Sequence, residues 1–221
     1  MIAMTYNILV GGQPDRLDAI VEVIAGQRPD VLALQELRGF DRAALDRLAT
    51  ATGLAAYLAR SRSGQPVAVL VRPGSRVRAT RRLRGPFHHA AAEITVATDR
   101  GPLTVIGTHF NPYSPIWRLA EARALARRID PDRLVLLMGD LNGPPAIAGL
   151  VDLFRPGGPV HSVPTRFKGE EFTPARLDHI LATKPLAALA RGYRIVTGGT
   201  ADTASDHYPV VADLDLAIVC K

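Results

Sequence analysis

Short apolar runs of strand length recur along the chain, and they predict a structure rich in β-strands. Such runs are too frequent for a helical bundle. The predicted strands are Ile2–Val10, Val31–Gln35, Val67–Val71, Ala90–Val96, Leu103–Thr108, Leu134–Met138, Leu177–Leu181, Gly192–Val196 and Tyr208–Leu216.

Three segments of helical period lie between these strands, and each ends close to a glycine or a proline. They are Arg16–Ala25, Arg42–Ala51 and Trp117–Ile129. From Val67 to Thr108 the strands are separated only by turn residues, so antiparallel pairing is required there. The pattern predicts an α/β fold in which two packed mixed sheets are flanked by helices.

The composition is that of an ordinary globular chain, with 221 residues, 47% of them hydrophobic and 22% charged. Nothing in the sequence marks a domain boundary, so we expect one domain over residues 1–221. The only cysteine is Cys220, which excludes an intrachain disulfide and a cysteine-based zinc site. Because there is neither a membrane-length apolar stretch nor a signal-like N-terminus, we expect a soluble, cytoplasmic protein without a membrane span. We also expect a monomer.

The formal net charge of +6 permits an acidic partner such as nucleic acid or another phosphate. This signal is partly discounted, because 24 of the 27 basic residues are arginine in a chain rich in Ala, Gly and Pro, as codon bias produces. An arginine-rich stretch, expected to form a strand pair, is open to two interpretations: it binds a phosphate backbone, or it guards the edge of a sheet. It contains Arg72, Arg76, Arg78, Arg81, Arg82 and Arg84.

Polar residues suited to catalysis stand where the apolar runs begin or end. Strand ends in a layered α/β protein gather at one rim, so these side chains are candidates to converge in space. They are Glu36, His109, Asn111, Asp140, Asn142, Asp178 and His179, with Asp206 and His207 before the last strand.

Each of these groups also has a structural interpretation. Asp140 and Asn142 share one face if the chain is extended, and a carboxylate beside an amide can take a proton from water, but both residues also form turns. A carboxylate at the end of a buried strand, such as Glu36, needs a divalent cation or an arginine as partner. Asp178 and His207 supply an Asp–His dyad, although such residues also form caps and turns.

Taken together and in this order, the motifs resemble those of the endonuclease/exonuclease/phosphatase superfamily, which includes deoxyribonuclease I. The residues that carry the resemblance are Tyr6-Asn7-Ile8-Leu9, Leu34-Gln35-Glu36, Thr108-His109-Phe110, Gly139-Asp140-Leu141-Asn142, Arg176-Leu177-Asp178 and Ser205-Asp206-His207. The resemblance implies a four-layer α/β/β/α sandwich and Mg²⁺- or Mn²⁺-dependent cleavage of phosphoester bonds.

The resemblance also implies roles for individual residues. Glu36 is expected to bind the metal, with Asn7 beside it and Asp206 near the cation. Asp140 would activate the attacking water. Asn142 would hold Asp140 and contact the phosphate. His207 would be oriented by Asp178 toward the scissile phosphate. The last catalytic candidate is His109, as phosphate ligand or general acid.

Several residues around this set are candidates for binding the substrate, namely His88, Asn111, Arg118 and Arg176. Arg166 and Arg176 are alternatively structural partners of Asp178, and Trp117 is expected to be a core residue rather than a base-stacking one.

Two departures from the family pattern narrow the expected substrate. The positions that abasic-site endonucleases use for recognition hold Leu9 and Ala175, so that specificity is not expected. The position at which deoxyribonuclease-I-like enzymes carry a glutamate toward the His109 counterpart matches Gln65, which weakens the general-acid role of His109.

The leading hypothesis is therefore a nuclease or phosphodiesterase that acts on nucleic acid. The alternatives are a hydrolase of a small phosphorylated metabolite or lipid headgroup, a non-catalytic binding module, and a zinc site formed by His109, His179 and His207.

Overall fold

The computed structural model describes residues 1–220 and contains two six-stranded mixed sheets packed face to face. The strands are β1 (Ile2–Asn7), β2 (Val31–Gln35), β3 (Ala55–Ala59), β4 (Val67–Val71), β5 (Val77–Arg82), β6 (Ala90–Thr98), β7 (Gly101–His109), β8 (Leu134–Asp140), β9 (Val151–Asp152), β10 (Arg166–Phe167), β11 (Glu170–Glu171), β12 (Asp178–Ala182), β13 (Ala190–Ile195) and β14 (Val210–Leu214). The helices are α1 (Leu9–Gly12), α2 (Leu17–Gln27), α3 (Arg42–Thr52), α4 (Pro115–Ala126), α5 (Lys184–Ala187) and α6 (Ala201–Ala204).

The first sheet has the strand order β13-β14-β1-β2-β4-β3, and the second has the order β5-β6-β7-β8-β12-β9. Each sheet has one parallel pair, β1 with β2 and β7 with β8, and its other pairs are antiparallel. Helices α2 and α3 pack on the outer face of the first sheet, while α4 packs on the outer face of the second. This arrangement confirms the four-layer α/β/β/α sandwich.

Side chains that alternate along each strand divide the apolar residues between an inner core and two outer cores. Met4 and Tyr6 of β1 pack toward the helices with Leu32 and Leu34 of β2, whereas Ala3 lies in the core between the sheets. The inner core also takes Leu136 and Met138 of β8. Burial of these faces, at about 25 cal/mol per Å² of apolar surface, holds the layers together.

The same alternation brings polar residues to one rim of the inner core. Asn7 shares the face of Ala3, Asp140 shares the face of Leu136 and Met138, and Asp178 shares the face of Ile180 and Ala182. His109 follows Leu103 and Val105 with the same period. Each inner face is therefore apolar along its length and polar at one end, which places the candidate residues between the two sheets.

The first strand is shorter than predicted. It ends at Asn7 instead of Val10, because Leu9 and Val10 adopt positive φ angles of 45° and 52°. Their amide groups donate to the side chains of Asn7 and Glu36 instead of to a neighbouring strand. The apolar run Ile8-Leu9-Val10 resembles a continued strand, but its backbone holds the polar residues of the rim.

The arginine-rich stretch forms one strand, β5, instead of a strand pair. This strand is the edge of the second sheet, and its arginines are exposed. Arg81 pairs with Glu93 at 3.5 Å, while Arg72, in the turn before the strand, pairs with Asp30 at 3.0 Å. The position of β5 supports the interpretation in which charge guards a sheet edge.

Within residues 1–220, no helix is long and apolar enough to cross a membrane.

Candidate active site

Glu36 and Asn7 lie side by side at the ends of the parallel strands β2 and β1. The Asn7 Nδ2 donates to Glu36 Oε1 at 3.2 Å, and the Val10 amide donates to Glu36 Oε2 at 3.1 Å. Glu36 has a left-handed backbone with φ of 60°, a conformation that costs on the order of 1–3 kcal/mol in a non-glycine residue. No arginine pairs with Glu36 among residues 1–220.

Asp140 lies at the centre of the rim, at the end of β8. Its Oδ2 accepts from Asn7 Nδ2 at 3.1 Å, and its Oδ1 accepts from the Asn142 amide at 2.8 Å. Asn142 is held in turn, because its Nδ2 donates to the Phe110 carbonyl at 3.1 Å. Burial raises the pKa of Asp140 to about 7, and the Asp178 carboxylate acts in the same direction. Asp140 is thus a stronger base than an exposed aspartate.

Asp178 and His207 form a buried hydrogen-bonded pair. The His207 Nδ1 lies 2.7 Å from Asp178 Oδ2, and its Nε2 lies 3.9 Å from Asp140 Oδ2. Burial alone lowers the pKa of His207, but the Asp178 carboxylate opposes it, and the result is a pKa raised to about 10. His207 is therefore an imidazolium at neutral pH, and its second N–H faces the centre of the site.

His109 also faces Asp140, with its Nε2 at 3.5 Å from Asp140 Oδ2. Its Nδ1 is buried and has no hydrogen-bond partner, so no carboxylate orients this ring. The ring stacks on His89 instead, with centroids 4.1 Å apart and planes inclined by 24°. His89 is fixed by Ser63, whose Oγ lies 2.6 Å from His89 Nδ1. Burial lowers the pKa of His109 to about 4 and that of His89 to about 3, so both rings are neutral at pH 7.

Asp206 lies between the dyad and the Glu36 side of the rim. Its neighbour Ser205 donates to the Asn7 carbonyl at 2.8 Å, which ties the segment before β14 to the end of β1. Burial raises the pKa of Asp206, His207 opposes this shift, and Glu36 adds to it. The rim thus gathers four carboxylates with one cationic histidine.

The candidate substrate-binding residues lie around this centre and serve the structure as well. The Asn111 Oδ1 accepts from the amides of Tyr113 and Ser114, and Arg118 donates to the carbonyls of Asn111 and Pro112. The His88 ring contacts Tyr113 edge-on, with centroids 6.0 Å apart. Asn111, Arg118 and His88 thus form one connected wall beside His109.

Arg176 is committed elsewhere. Its guanidinium pairs with Asp152 at 2.7 Å and lies 4.5 Å from the centroid of the Phe154 ring. Arg166 pairs with Glu171 at 3.2 Å. The prediction that Arg166 or Arg176 is the partner of Asp178 is therefore wrong, since His207 has that place. The contacts of Arg176 lend no support to its predicted role in substrate binding.

The structure does not assemble the three histidines of the zinc alternative. His179 alternates with Asp178 along β12, so its side chain is on the opposite face of that strand. Its Nε2 lies 3.0 Å from the Gly143 carbonyl and its Nδ1 lies 2.9 Å from Arg176. Neither nitrogen is free for a metal shared with His109 and His207.

The structure gives Gln65 a different role from the one expected, and it adds two supporting residues that the sequence did not single out. The Gln65 Nε2 donates to Glu36 Oε2 at 3.3 Å, so Gln65 supports Glu36 and not His109. Ser162 Oγ accepts from the amides of Leu177 and Asp178, which positions the start of β12. Arg16 is buried and donates to the Ala204 carbonyl at 2.7 Å, yet it resembles an ordinary first-turn arginine in the sequence.

The donor set fits a hard divalent cation. Its oxygens come from Glu36, Asp140, Asp178 and Asp206, with the Asn7 amide beside them, and the buried Asp178 Oδ1 has no hydrogen-bond partner. Among residues 1–220, Asp140, Asp178 and His207 are grouped so that their ligand atoms lie within 4.8 Å of one another. Because Asp178 engages His207 and keeps it charged, we interpret this triad as acid–base machinery. Glu36 lies outside this triad and has no arginine partner among residues 1–220, so its carboxylate is available to a cation.

Comparison with family models identifies the chain. The model described as "Endonuclease/Exonuclease/phosphatase family" matches residues 4–207, which covers nearly the whole chain and every residue of the rim. The chain belongs to this family. It is accordingly a hydrolase of phosphoester bonds, and the fold expected from the resemblance is confirmed.

Solved structures of the family share the fold at low sequence identity. A truncated TDP2 from Caenorhabditis elegans has a TM-score of 0.72 at 17% identity, with 99% of this chain and 97% of that chain covered. D. rerio TDP2 complexed with a single-strand DNA product has a TM-score of 0.77 at 16% identity, with coverages of 96% and 97%.

A solved structure that is named for a different activity is similar to the same extent. The mannosyl-6-phosphatase of Bacteroides thetaiotaomicron has a TM-score of 0.73 at 15% identity, with 97% and 99% of the chains covered. A sequence comparison with curated proteins finds no match. At these identities the structural likeness establishes the fold, while the substrate must be argued from the residues of this chain.

Proposed function

We propose that this protein is a Mg²⁺- or Mn²⁺-dependent phosphodiesterase that cleaves nucleic acid. The observation that carries the proposal is the convergence of Asn7, Glu36, Asp140, Asp178 and His207 at one rim of the inner core. Four of these polar residues are buried and Glu36 is half-buried, at a cost that the fold does not require. Such an arrangement is typical of a catalytic site.

Asp140 is the group that activates water in this proposal. Hydrogen bonds from Asn7 and from the Asn142 amide orient the Asp140 carboxylate toward the centre of the site. There it can accept a proton from a water molecule. The raised pKa of Asp140 increases its strength as a base. Asn142, fixed by the Phe110 carbonyl, keeps this geometry and lies beside the place of the phosphate.

His207 stabilises the negative charge on the phosphate. Its Nδ1 is held by Asp178, so its Nε2–H is the one that points toward Asp140 and toward the centre of the site, where the phosphate would lie beside both groups. His109, which is neutral, can donate one hydrogen bond to the phosphate or to the leaving oxygen from the other side. The two histidines therefore contribute differently to the same centre.

Glu36 would hold the cation, with Asn7 and Asp206 next to it. Mg²⁺ and Mn²⁺ prefer oxygen ligands, and the donors found here are carboxylates, since the Asn7 Oδ1 accepts from the Leu9 amide. A bound divalent cation would neutralise charge on the phosphoryl oxygens as the bond to phosphorus breaks. The Gln65 and Val10 N–H groups direct the Glu36 carboxylate toward the rim.

Nucleic acid is the proposed substrate because the chain carries a net charge of +6 and resembles a TDP2 solved with a single-strand DNA product. A small phosphorylated molecule is the second candidate. The observation that favours it is that Arg72 and Arg81 of the arginine-rich stretch are already paired with Asp30 and Glu93.

Hydrolysis assays with purified wild-type protein test the proposal. The substrates are a single-stranded oligonucleotide, plasmid DNA, RNA and bis(nitrophenyl) phosphate, each with Mg²⁺, Mn²⁺ or EDTA. We expect metal-dependent cleavage of a polymer, with a loss of about 10²–10⁴-fold in kcat for Asp140→Asn. Glu36→Gln should raise the metal concentration that gives half-maximal rate.

Other outcomes discriminate between the alternatives. Cleavage of only the small diester would favour the second candidate. Full activity of Asp140→Asn on every substrate would contradict the proposed mechanism. A wild-type protein that is inactive with both metals would favour the non-catalytic binding module.

A further inference from the structure

An exposed apolar surface lies directly beside the candidate active site. Tyr113, Ile116 and Trp117 are 83%, 81% and 55% exposed, and Leu119 is 47% exposed. We call these four residues the apolar ledge. Trp117 was expected in the core, and that prediction is wrong: the face of α4 that packs on the second sheet carries Ala122 and Leu125 instead.

The ordinary structural explanation for such residues does not hold. Ser114 caps α4, so Tyr113 is the residue before the cap, which often packs on the fourth helical residue. That fourth residue is Arg118, which hydrogen-bonds to the carbonyls of Asn111 and Pro112. The high exposure of Tyr113 shows that it makes no such packing contact.

The ledge is also held rigidly in place. The Asn111 Oδ1 accepts from the amides of Tyr113 and Ser114 at 2.8 and 2.9 Å. The buried Glu121 accepts from the Asn111 amide and the His88 amide, both at 2.8 Å. These bonds fix the backbone that carries the ledge, and large apolar side chains presented together in solvent are typical of a binding surface.

The ledge is continuous with the catalytic rim on two sides. Asn111 follows His109 by two residues, and the Tyr113 ring contacts His88. On the other side, the Arg118 side chain packs on Gly143, where an added Cβ would lie 3.2 Å from its Nε, and Gly143 adjoins Asn142. A ligand bound at Asp140 that extends toward α4 therefore passes Asn111 and Arg118, which adjoin the ledge.

We infer that the apolar ledge binds an unpaired nucleobase of a single-stranded nucleic acid next to the scissile phosphate. This inference rests on the proposed function and deepens it. Aromatic side chains stack on bases of any identity, and bases within a duplex have no free face to offer. The net charge of +6 and the Arg118 guanidinium at the foot of the ledge suit the adjoining phosphates.

The protein carries its own probe for this contact, because Trp117 is its only tryptophan. Tryptophan emission of the Asp140→Asn protein with Mg²⁺ would be followed during titration with a twelve-nucleotide single strand, with the matching duplex, and with phosphatidylcholine/phosphatidylserine vesicles. Quenching by the single strand, at concentrations well below those of the duplex, is the expected result. Fluorescence anisotropy of a labelled strand would report binding independently of tryptophan.

Substitutions in the ledge locate the contact. In the Asp140→Asn background, Trp117→Ala and Tyr113→Ala should each weaken single-strand binding by about tenfold. Trp117→Phe should restore most of the affinity, because it keeps an aromatic face. The matched control is Val219→Ala, which removes an exposed apolar side chain at the far end of the chain and should change nothing.

Four results would overturn the inference. They are unchanged emission while anisotropy shows the strand bound, equal affinity of Trp117→Ala, emission changes with vesicles alone, and concentration-dependent self-association that Trp117→Ala abolishes. Metal-dependent cleavage of a single-stranded oligonucleotide by the wild-type protein separates the two levels. If it persists, only the inference has failed, and if it is absent, the proposed function has failed.

Discussion

His207 and His109 are both buried and both face Asp140, at 3.9 and 3.5 Å, yet their charges differ. The difference arises on the far side of each ring. His207 has a carboxylate there, Asp178, and its pKa is raised to about 10. His109 has no hydrogen-bond partner there, the neutral ring of His89 stacks on its face, and burial lowers its pKa to about 4. The group behind a buried imidazole thus decides whether it meets the phosphate as a cation or as a neutral donor.

The largest expected effect comes from removing His207, the positively charged histidine. His207→Ala should lower kcat by about 10³-fold, because it removes both the charge and a hydrogen bond directed at the phosphate. His109→Ala should cost less, about tenfold to 10²-fold, since a neutral donor contributes less. Steady-state rates on bis(nitrophenyl) phosphate measure both. Equal losses for the two variants would break the distinction between the histidines.

Stability should respond to pH in opposite ways at the two positions. The raised pKa of His207 contributes stability that is complete below its unfolded pKa of about 6.5 and is lost as pH rises through about 10. The lowered pKa of His109 makes the protein lose stability as pH falls from about 6.5 through about 4. His207→Gln should therefore cost more at about pH 6 than at about pH 9.5, and His109→Gln more at about pH 7 than at about pH 4.5.

Urea unfolding in EDTA measures these costs, which should change across their ranges by about 4 kcal/mol for His207→Gln and about 2 kcal/mol for His109→Gln. A control is His161→Gln, which removes an exposed histidine. The same pH trend in His207→Gln and His109→Gln would contradict the assignment of a charged His207 and a neutral His109.

The smallest expected effect concerns the stacking of His89 on His109. His89→Ala should lower kcat by about tenfold, because the His109 ring loses the surface that orients it. His89→Phe keeps a flat ring and should restore most of the rate, with KM little changed in either variant. If His89→Phe is as impaired as His89→Ala, stacking is not what positions His109.

Most of the fold was predictable from local pattern. The alternation of side chains in β1, β8 and β12 assigns inner and outer faces, and it is enough to place Asn7, Asp140 and Asp178 on the inner face. The strand Ala55–Ala59 was missed because its alanines give little hydrophobic contrast. The end of β1 was misplaced because Leu9 and Val10 look like strand residues and act through their amides.

The site was predictable as a set of residues but not as a set of contacts. Motif order identifies Glu36, Asp140 and His207, since each stands at a strand boundary. No local signal shows that His89 stacks on His109 or that Ser63 contacts His89. The sequence also does not show that Arg176 pairs with Asp152 instead of Asp178. Such pairings depend on which loops meet across the rim, and this is a property of the assembled sheets.

The charge states of His207 and His109 are best tested by ¹H–¹⁵N spectra of the imidazole rings, recorded in EDTA between about pH 5 and 9. At neutral pH, His207 should show both ring nitrogens protonated and His109 only one. In Asp178→Asn, the His207 pKa should fall toward the ordinary value of about 6.5 or below. A neutral His207 at pH 7 in the wild-type protein, or a protonated His109, would contradict the division of roles between the two histidines.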